Sequence, residues 1–179
     1  LPERGHLSPG KFCVGGDSHS PTGGAFGAYM FGIGATEMAG VLATGTIWIK
    51  VPETILIRWH NQLTSFVTAK DMMLATCRKI GMGGGRYQAI QFAGDAVRQL
   101  GMQDRMTLSN MAAELGAQAG LIAPDETTID YIQKAGGTVT EEWRSYQIET
   151  VETDDNLLSF DAAALAPQIA APHSPANAD

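Results

Sequence analysis

Three adjacent side chains, a carboxylate, a hydroxyl and an imidazole, lie in a glycine-rich segment near the start of the sequence. They are Asp17, Ser18 and His19, within the stretch CVGGDSHSPTGGAFG. Residues 11–14 before them have the apolar character of a short buried strand, so the triplet falls where a strand ends. Ligands of α/β proteins bind at the carboxyl ends of strands, and glycines there let the backbone approach a bound group. The position therefore favours a site.

Two other interpretations of the triplet stay open from the residues alone. Asp and Ser in a glycine-rich loop often close a turn or cap the next helix, and a nearby His is commonly their hydrogen-bonded partner. A carboxylate and an imidazole also bind zinc or iron, so Asp17 and His19 are candidate metal ligands. Two ligands do not make a metal site.

A second polar pair occurs much later in the sequence. The segment TLSNMAAELGAQAG predicts a helix capped by Thr107 or Ser109. On that helix Asn110 and Glu114 are spaced i, i+4, so both project from one face. A polar pair of this kind is usually just the solvated side of a helix.

Composition limits the class of protein and its partners. The 179 residues are 44% hydrophobic and 17% charged, which is typical of a globular soluble protein of about one domain. Twelve basic against 19 acidic residues give a formal net charge of -7, which argues against nucleic acid because phosphate binding depends on Lys and Arg. No apolar run is long enough to cross a bilayer, and residues 1–10 lack the order of a signal peptide. We expect a cytoplasmic protein without a membrane partner.

Predicted strands and helices alternate along the chain, which indicates an α/β fold with helices packed on a largely parallel sheet. We predict helices over 25–44, over 69–81, from the cap at 107 or 109, and from 124 to a glycine stop at 136–137. We predict strands over 11–14, on both sides of a break at 52–53 within 46–60, over 87–92, within 119–123 and within 146–155. The tail after residue 165 reads as extended or loose.

Two further features have weak signals. The cysteines, Cys13 and Cys77, are far apart in apolar surroundings and read as buried thiols, and the sequence contains no CxxC pair. The glycine cluster GMGGG precedes a strand and is not followed by GK[ST], so it does not have the form of a phosphate-binding loop.

Four blocks of the sequence, in the same order along nearly the whole chain, resemble the aconitase superfamily. They are GDSHSPTGGAFGAYMFGIGATEMAGVLATG, WIKVPETI, MTLSNMAAELGAQAGLIAPDETT and APQIAAPHSP. They look most like the large subunit of 3-isopropylmalate dehydratase and its homoaconitase-like relatives, and WIKVPETI resembles the archaeal-type branch. The resemblance implies a hydro-lyase acting on a 2-hydroxy di- or tricarboxylic acid, with 3-isopropylmalate of leucine biosynthesis favoured. Homoaconitase, dimethylmalate dehydratase and aconitase types of substrate are the alternatives.

The resemblance implies roles for five residues. Asp17 matches an aspartate near the iron-bound oxygen, Ser18 a serine that binds a substrate carboxylate, and His19 a histidine held by a carboxylate. That carboxylate would be Glu114, while Asn110 matches an asparagine that lies against a [4Fe-4S] cluster. A carboxylate beside an imidazole fixes its orientation and favours its charged form, which keeps a proton available as hydroxide leaves. We therefore expect Glu114 within hydrogen-bond reach of His19.

The resemblance also implies what this sequence lacks. The family holds its cluster with three cysteines, two of them in a CxxC, and neither Cys13 nor Cys77 corresponds to them. The arginines that clamp substrate carboxylates and the serine base belong to a small, swivelling subunit or domain. Gln91 stands where many relatives have Glu, which leaves its role open.

We therefore expect an internal piece of a large subunit. Residues 1–53 would be the end of an incomplete first aconitase-like domain, and residues 54–179 the second α/β domain. Such a chain alone would bind no cluster and be inactive, and exposed apolar surface on its first part would drive association. The other hypothesis is a short non-catalytic binding or scaffold protein of the same fold.

Overall fold

The structure is a computed structural model that describes residues 1–146, 152–153 and 155–179. Parallel strands and helices alternate along it, which confirms the predicted α/β class. The strands are β1 (Phe12–Gly15), β2 (Tyr29–Gly32), β3 (Thr54–His60), β4 (Ala89–Ala93), β5 (Ala119–Ile122) and β6 (Leu157–Asp161). The α-helices are α1 (Ala35–Thr44), α2 (Ala69–Ile80), α3 (Asp95–Gln99), α4 (Met102–Met111) and α5 (Glu126–Lys134).

The strands of the described residues form two parallel sheets. In the smaller sheet β1 pairs with β2, with Phe12 opposite Tyr29. The larger sheet has the order β5-β4-β3-β6, and each neighbouring pair is parallel. The main core lies where α2 and α4 pack against this sheet, because these elements contribute most of its large buried side chains. The largest of them are Trp59, Phe92, Ile57, Ile90, Met72, Met73 and Leu108.

Two glycines bring three layers of the fold into direct contact. A Cβ on Gly24, in the 3-10 helix Ser20–Phe26, would lie 1.8 Å from the carbonyl oxygen of Gly120 in β5. A Cβ on Gly120 would in turn lie 2.7 Å from the Cβ of Ala112, which follows α4. No side chain fits at either position, so the 3-10 helix, β5 and the end of α4 approach closely. This contact holds the first part of the chain against α4.

The glycine cluster before β4 has a packing function of the same kind. A Cβ on Gly85 would lie 2.8 Å from the carbonyl oxygen of Leu115 and from the nitrogen of Ala117, and the Gly85 N–H donates to Leu115 O at 2.7 Å. The cluster therefore lets two backbone segments meet, in agreement with the absence of a phosphate-loop pattern.

A buried carboxylate joins α2 to the C-terminal tail. Asp71 Oδ2 accepts hydrogen bonds from the backbone N–H and the hydroxyl of Thr68, both at 2.7 Å. Its Oδ1 accepts from the backbone N–H of Gln168, also at 2.7 Å. The tail is therefore anchored to the helix start, although its composition predicts a loose segment. Burial by itself raises the pKa of Asp71, but these hydrogen bonds more than offset it and the pKa lies below its ordinary value of 3.8.

Replacing Asp71 by Asn should destabilise the chain in a pH-dependent way. Asn keeps one acceptor oxygen but loses the charge and one acceptor, so we expect a loss of roughly 1.5–3 kcal/mol at neutral pH. Because the folded-state pKa is lowered, this stability is present above 3.8 and is lost as the pH falls below that value. Urea unfolding at neutral pH and at about pH 3 measures the difference, which should narrow in acid. The control is Asp130→Asn, because the exposed Asp130 carboxylate forms a surface ion pair with Lys134 at 3.8 Å, which contributes little to stability. An unchanged difference in acid would contradict this account.

The helix predicted over 25–44 is wrong in its first half. The chain instead completes the 3-10 helix, turns at Gly27 with φ of +73°, forms β2 and only then enters α1. Tyr29 and Phe31, which favour strands, pair with the distant β1, and a local reading of small apolar residues does not detect that partner.

The start predicted for the fourth helix is also wrong, since α4 begins at Met102 with Gly101 as its N-cap. The first turns of α4 carry Arg105, which is fully buried and donates to both carboxylate oxygens of Asp125 at 2.7 Å. Because the charged Arg105 occupies a core position, the apolar pattern that predicts a helix is interrupted in these turns. The helix also ends at Met111, so Glu114 lies in the turns that follow it and not on the same helix as Asn110.

Other predicted elements have mixed outcomes. The helix over 69–81 and the strands near 11–14, 54–60, 87–92 and 119–123 are confirmed, with end shifts of one or two residues, and so is α5. The strand predicted before the break at 52–53 is wrong, because residues 46–53 have no regular secondary structure. The strand predicted over 146–155 lies mostly outside the described residues, and β6 follows it.

The first part of the chain exposes apolar side chains. Helix α1 buries none of its residues, and Leu42, Trp48 and Val51 are each more than 80% exposed. The association expected from this surface stays a prediction. In the described part of the chain, every helix is too short or too polar to span a bilayer.

Candidate active site

The structure brings His19 and Glu114 together across 95 residues of sequence. Nε2 of His19 lies 3.4 Å from Oε1 of Glu114, and the side chains are 40% and 34% exposed. The expected proximity of these two residues is therefore confirmed. An ionised carboxylate only accepts hydrogen bonds, so in this contact Nε2 carries the ring proton and donates a hydrogen bond to Glu114. The carboxylate thus selects one orientation of the imidazole.

The neighbouring residues of the triplet form a turn around the same imidazole. Oδ1 of Asp17 accepts from the backbone N–H of His19 at 2.8 Å, and the hydroxyl of Ser18 lies 3.0 Å from Nδ1 of the ring. With the proton on Nε2, a neutral ring accepts from Ser18 through Nδ1. Asp17 and Ser18 therefore form the turn that the sequence left open as an alternative. Nε2 of His19 takes no part in that turn and contacts Glu114.

Asn110 contacts the loop of His19 through a residue that the sequence did not single out. Nδ2 of Asn110 donates to Oγ1 of Thr22 at 2.9 Å, and that hydroxyl donates to the backbone carbonyl of His19 at 2.6 Å. No local signal identifies Thr22, because its partner is 88 residues away. Its place directly before a glycine pair indicates a close backbone approach but does not indicate the contact with Asn110.

An open cleft of about 870 Å³ lies beside these residues. Its lining includes Glu114, Asn110 and Thr22, residues at the start of α2, and the tail at 168–170. Its lining combines hydroxyl, amide and carboxylate groups and the ammonium of Lys70 with apolar side chains. Such a lining suits a small polar ligand.

The two cysteines do not fit an iron–sulfur cluster. Cys77 is fully buried in the core, and burial, reinforced by the negative charge of Glu114, raises its pKa to about 11. Its thiol therefore stays protonated at neutral pH, whereas a cluster needs thiolates. Cys13 lies in β1 as a free, half-buried thiol. Among the described residues no group of three or more His, Cys, Asp or Glu side chains is placed to hold a metal ion, and Asp17 and His19 do not form one.

We expect this chain alone to bind no stoichiometric [4Fe-4S] cluster. Reconstitution with iron and sulfide, followed by visible absorbance and iron analysis, measures the outcome. The control is Cys77→Ser, which should leave the small background of bound iron unchanged because the buried thiol contributes nothing to it. A stable cluster that disappears in Cys77→Ser would overturn our assignment of the cysteines.

Comparison with known proteins gives one family. A family model described as aconitase family (aconitate hydratase) matches residues 1–178. The 3-isopropylmalate dehydratase large subunit of Moorella thermoacetica is 43% identical over 178 residues, which are 99% of this chain and 42% of that protein. The 3-isopropylmalate dehydratase large subunit 1 of Methanopyrus kandleri is 44% identical over 177 residues, again 99% of this chain and 42% of that protein.

A relative with another substrate in its name is nearly as similar. The probable methanogen homoaconitase large subunit of Methanosarcina mazei is 42% identical over 180 residues, which are 99% of this chain and 44% of that protein. The chain thus spans about two fifths of the length of each of these relatives. The sequence identity to the 3-isopropylmalate dehydratase subunits and to the homoaconitase subunit is nearly the same, so it does not distinguish the two activities.

Proposed function

Because the chain belongs to the aconitase family, we propose that it supplies part of the active site of a hydro-lyase large subunit. The substrate would be a 2-hydroxy di- or tricarboxylic acid, with 3-isopropylmalate favoured because two of the similar large subunits carry that name. The observation that carries the proposal is the 3.4 Å approach of His19 Nε2 to Glu114 Oε1 across 95 residues. A turn by itself gives no reason for that approach.

In this proposal His19 is the proton donor to the departing hydroxyl group. Dehydration removes hydroxide, a poor leaving group, so a positioned acid lowers the barrier by protonating it. Glu114 orients the ring and stabilises the positive charge that the ring carries before it gives up the proton. Asp17 lies beside the same oxygen as a second polar group, and Ser18 turns its hydroxyl from His19 Nδ1 to a substrate carboxylate.

The remaining parts of the site would come from outside this sequence. The donor set here does not fit a [4Fe-4S] cluster, so the thiolates that hold it in the intact enzyme would belong to the rest of the large subunit. Asn110 would face that cluster from this side. A small subunit would supply further substrate contacts, and we propose a cytoplasmic location for the assembly.

Assays of the assembled enzyme test the proposal. The complete product of this gene, loaded with iron and sulfide and mixed with its small subunit, should dehydrate at least one of four acids: 3-isopropylmalate, homocitrate, dimethylmalate and citrate. We expect kcat/KM to be highest for 3-isopropylmalate. Binding of these acids without turnover, by a gene product no longer than this chain, would favour the scaffold hypothesis instead.

A further inference from the structure

The contact between His19 and Glu114 is too weak to hold itself in place. Its 3.4 Å separation is long for a charge-assisted hydrogen bond, and both side chains are more than a third exposed. Exposed pairs of this kind contribute only about 0–1 kcal/mol. A general acid needs a fixed position relative to its partner, so a further contact must hold the backbone of His19 where Glu114 can orient the ring.

Thr22 makes the contact that is needed. Its hydroxyl donates to the carbonyl of His19 at 2.6 Å and accepts from Nδ2 of Asn110 at 2.9 Å. Because the backbone N–H of Thr22 donates to the same carbonyl at 3.1 Å, the His19 peptide is held at two points. One hydroxyl therefore connects the backbone of His19 to the last turn of α4, from which the chain continues directly to Glu114.

The surroundings leave this connection little freedom. Thr22 is partly buried and lies two residues before Gly24, whose backbone sits directly on β5. On the other side, Glu114 follows Asn110 through tight turns in which the N–H groups of Glu114 and Gly116 donate to Met111 and Ala113, each at 3.0 Å. Both ends of the tether are therefore fixed to packed elements.

We infer that Thr22 is a positioning residue that holds His19 against Glu114, an inference whose catalytic consequence rests on the proposed function. In this role the hydroxyl of Thr22 holds the peptide of His19 and the side chain of Asn110. It fixes the distance between the ring and the carboxylate, and it uses Asn110 as its anchor on α4.

The first test uses the chain itself and needs no activity. NMR spectra that correlate the ring protons with the ring nitrogens report which nitrogen of a neutral histidine carries the proton. The sequence has four histidines, and His19→Gln identifies the signals of His19. We expect one tautomer, protonated at Nε2, in the wild type and in Thr22→Ser, and a mixture of the two tautomers in Thr22→Val. Unchanged His19 signals in a folded Thr22→Val would overturn the inference.

A second variant covers the case in which Thr22→Val does not fold. Asn110→Leu removes the other end of the tether, so it should produce the same mixture of tautomers. A single tautomer in that variant would also contradict the role of Thr22.

The second test uses the complete dehydratase. Thr22→Val should lower kcat about tenfold to a hundredfold with KM within about twofold, since displacing a catalytic group by up to about 1 Å can lower the rate by that much. Thr22→Ser keeps the hydroxyl and should restore most of kcat. A wild-type enzyme without activity would count against the proposed function alone, because the NMR result still decides the role of Thr22. A Thr22→Val enzyme that loses stability but keeps kcat would reduce Thr22 to a structural residue.

Discussion

Replacing Glu114 by Gln in the assembled dehydratase should lower kcat about 100- to 10,000-fold, which is the range expected for a general acid that has lost its orienting and charge-stabilising partner. Gln has nearly the shape of Glu, but it removes the negative charge that faces Nε2 of His19 at 3.4 Å. Because Glu114 acts through His19 in this proposal, KM should change much less than kcat. Steady-state kinetics with the favoured acid, at matched cluster content, measure both values.

Two controls make this prediction specific to the site. Glu142→Gln removes the same charge from an exposed residue of a short surface helix and should leave kcat unchanged. The stability of Glu114→Gln should be measured by urea unfolding in parallel, so that a loss of turnover is distinguished from a loss of folded protein. Unchanged turnover in a folded, cluster-loaded Glu114→Gln enzyme would show that Asp17, Ser18 and His19 only form a turn.

Replacing Asp17 by Asn should separate the turn from the chemistry. Oδ1 of Asp17 accepts from the backbone N–H of His19 at 2.8 Å, and Asn offers the same acceptor atom. If Asp17 only closes the turn, Asn replaces it without loss of turnover. If its charge acts on the reacting oxygen, as we propose, the Asp17→Asn enzyme keeps the fold and its kcat falls by about a hundredfold or more.

Thermal unfolding and kinetics of two aspartate variants distinguish these outcomes. Asp17→Asn should unfold within about 0.5 kcal/mol of the wild type, whereas Asp17→Ala loses the turn acceptor and should be less stable by about 0.5–2 kcal/mol. Asp130→Asn, on an exposed face of α5, is the matched control for a lost surface charge. An Asp17→Asn enzyme with full activity would show that the carboxylate has no role beyond the turn.

Elements with local punctuation could be predicted from the sequence. Thr68 and Asp71 form the capping box of α2, and Gly81 ends the helix with φ of +77°. Asp125 caps α5 by accepting from the N–H groups of Thr127 and Thr128. In each case the signal and its partner lie within four residues, so a local pattern is sufficient.

Elements that depend on distant partners could not be predicted. Strand β2 pairs with β1, and Arg105 in the first turns of α4 is buried with Asp125, 20 residues later, as its partner. The same reasoning applies to the site. The approach of Glu114 to His19 was expected through the family resemblance and not from spacing, and the bridging role of Thr22 appears only when α4 meets the 3-10 helix.

A double-mutant cycle on His19 and Glu114 tests the central claim most directly. The kcat values of the assembled dehydratase are compared for the wild type, His19→Gln, Glu114→Gln and the double variant. If the two residues form one catalytic unit, each single change should lower kcat strongly and the double variant should be no worse than the poorer single variant. Losses that multiply, or single variants that retain full turnover, would show that the 3.4 Å contact is not a catalytic pair.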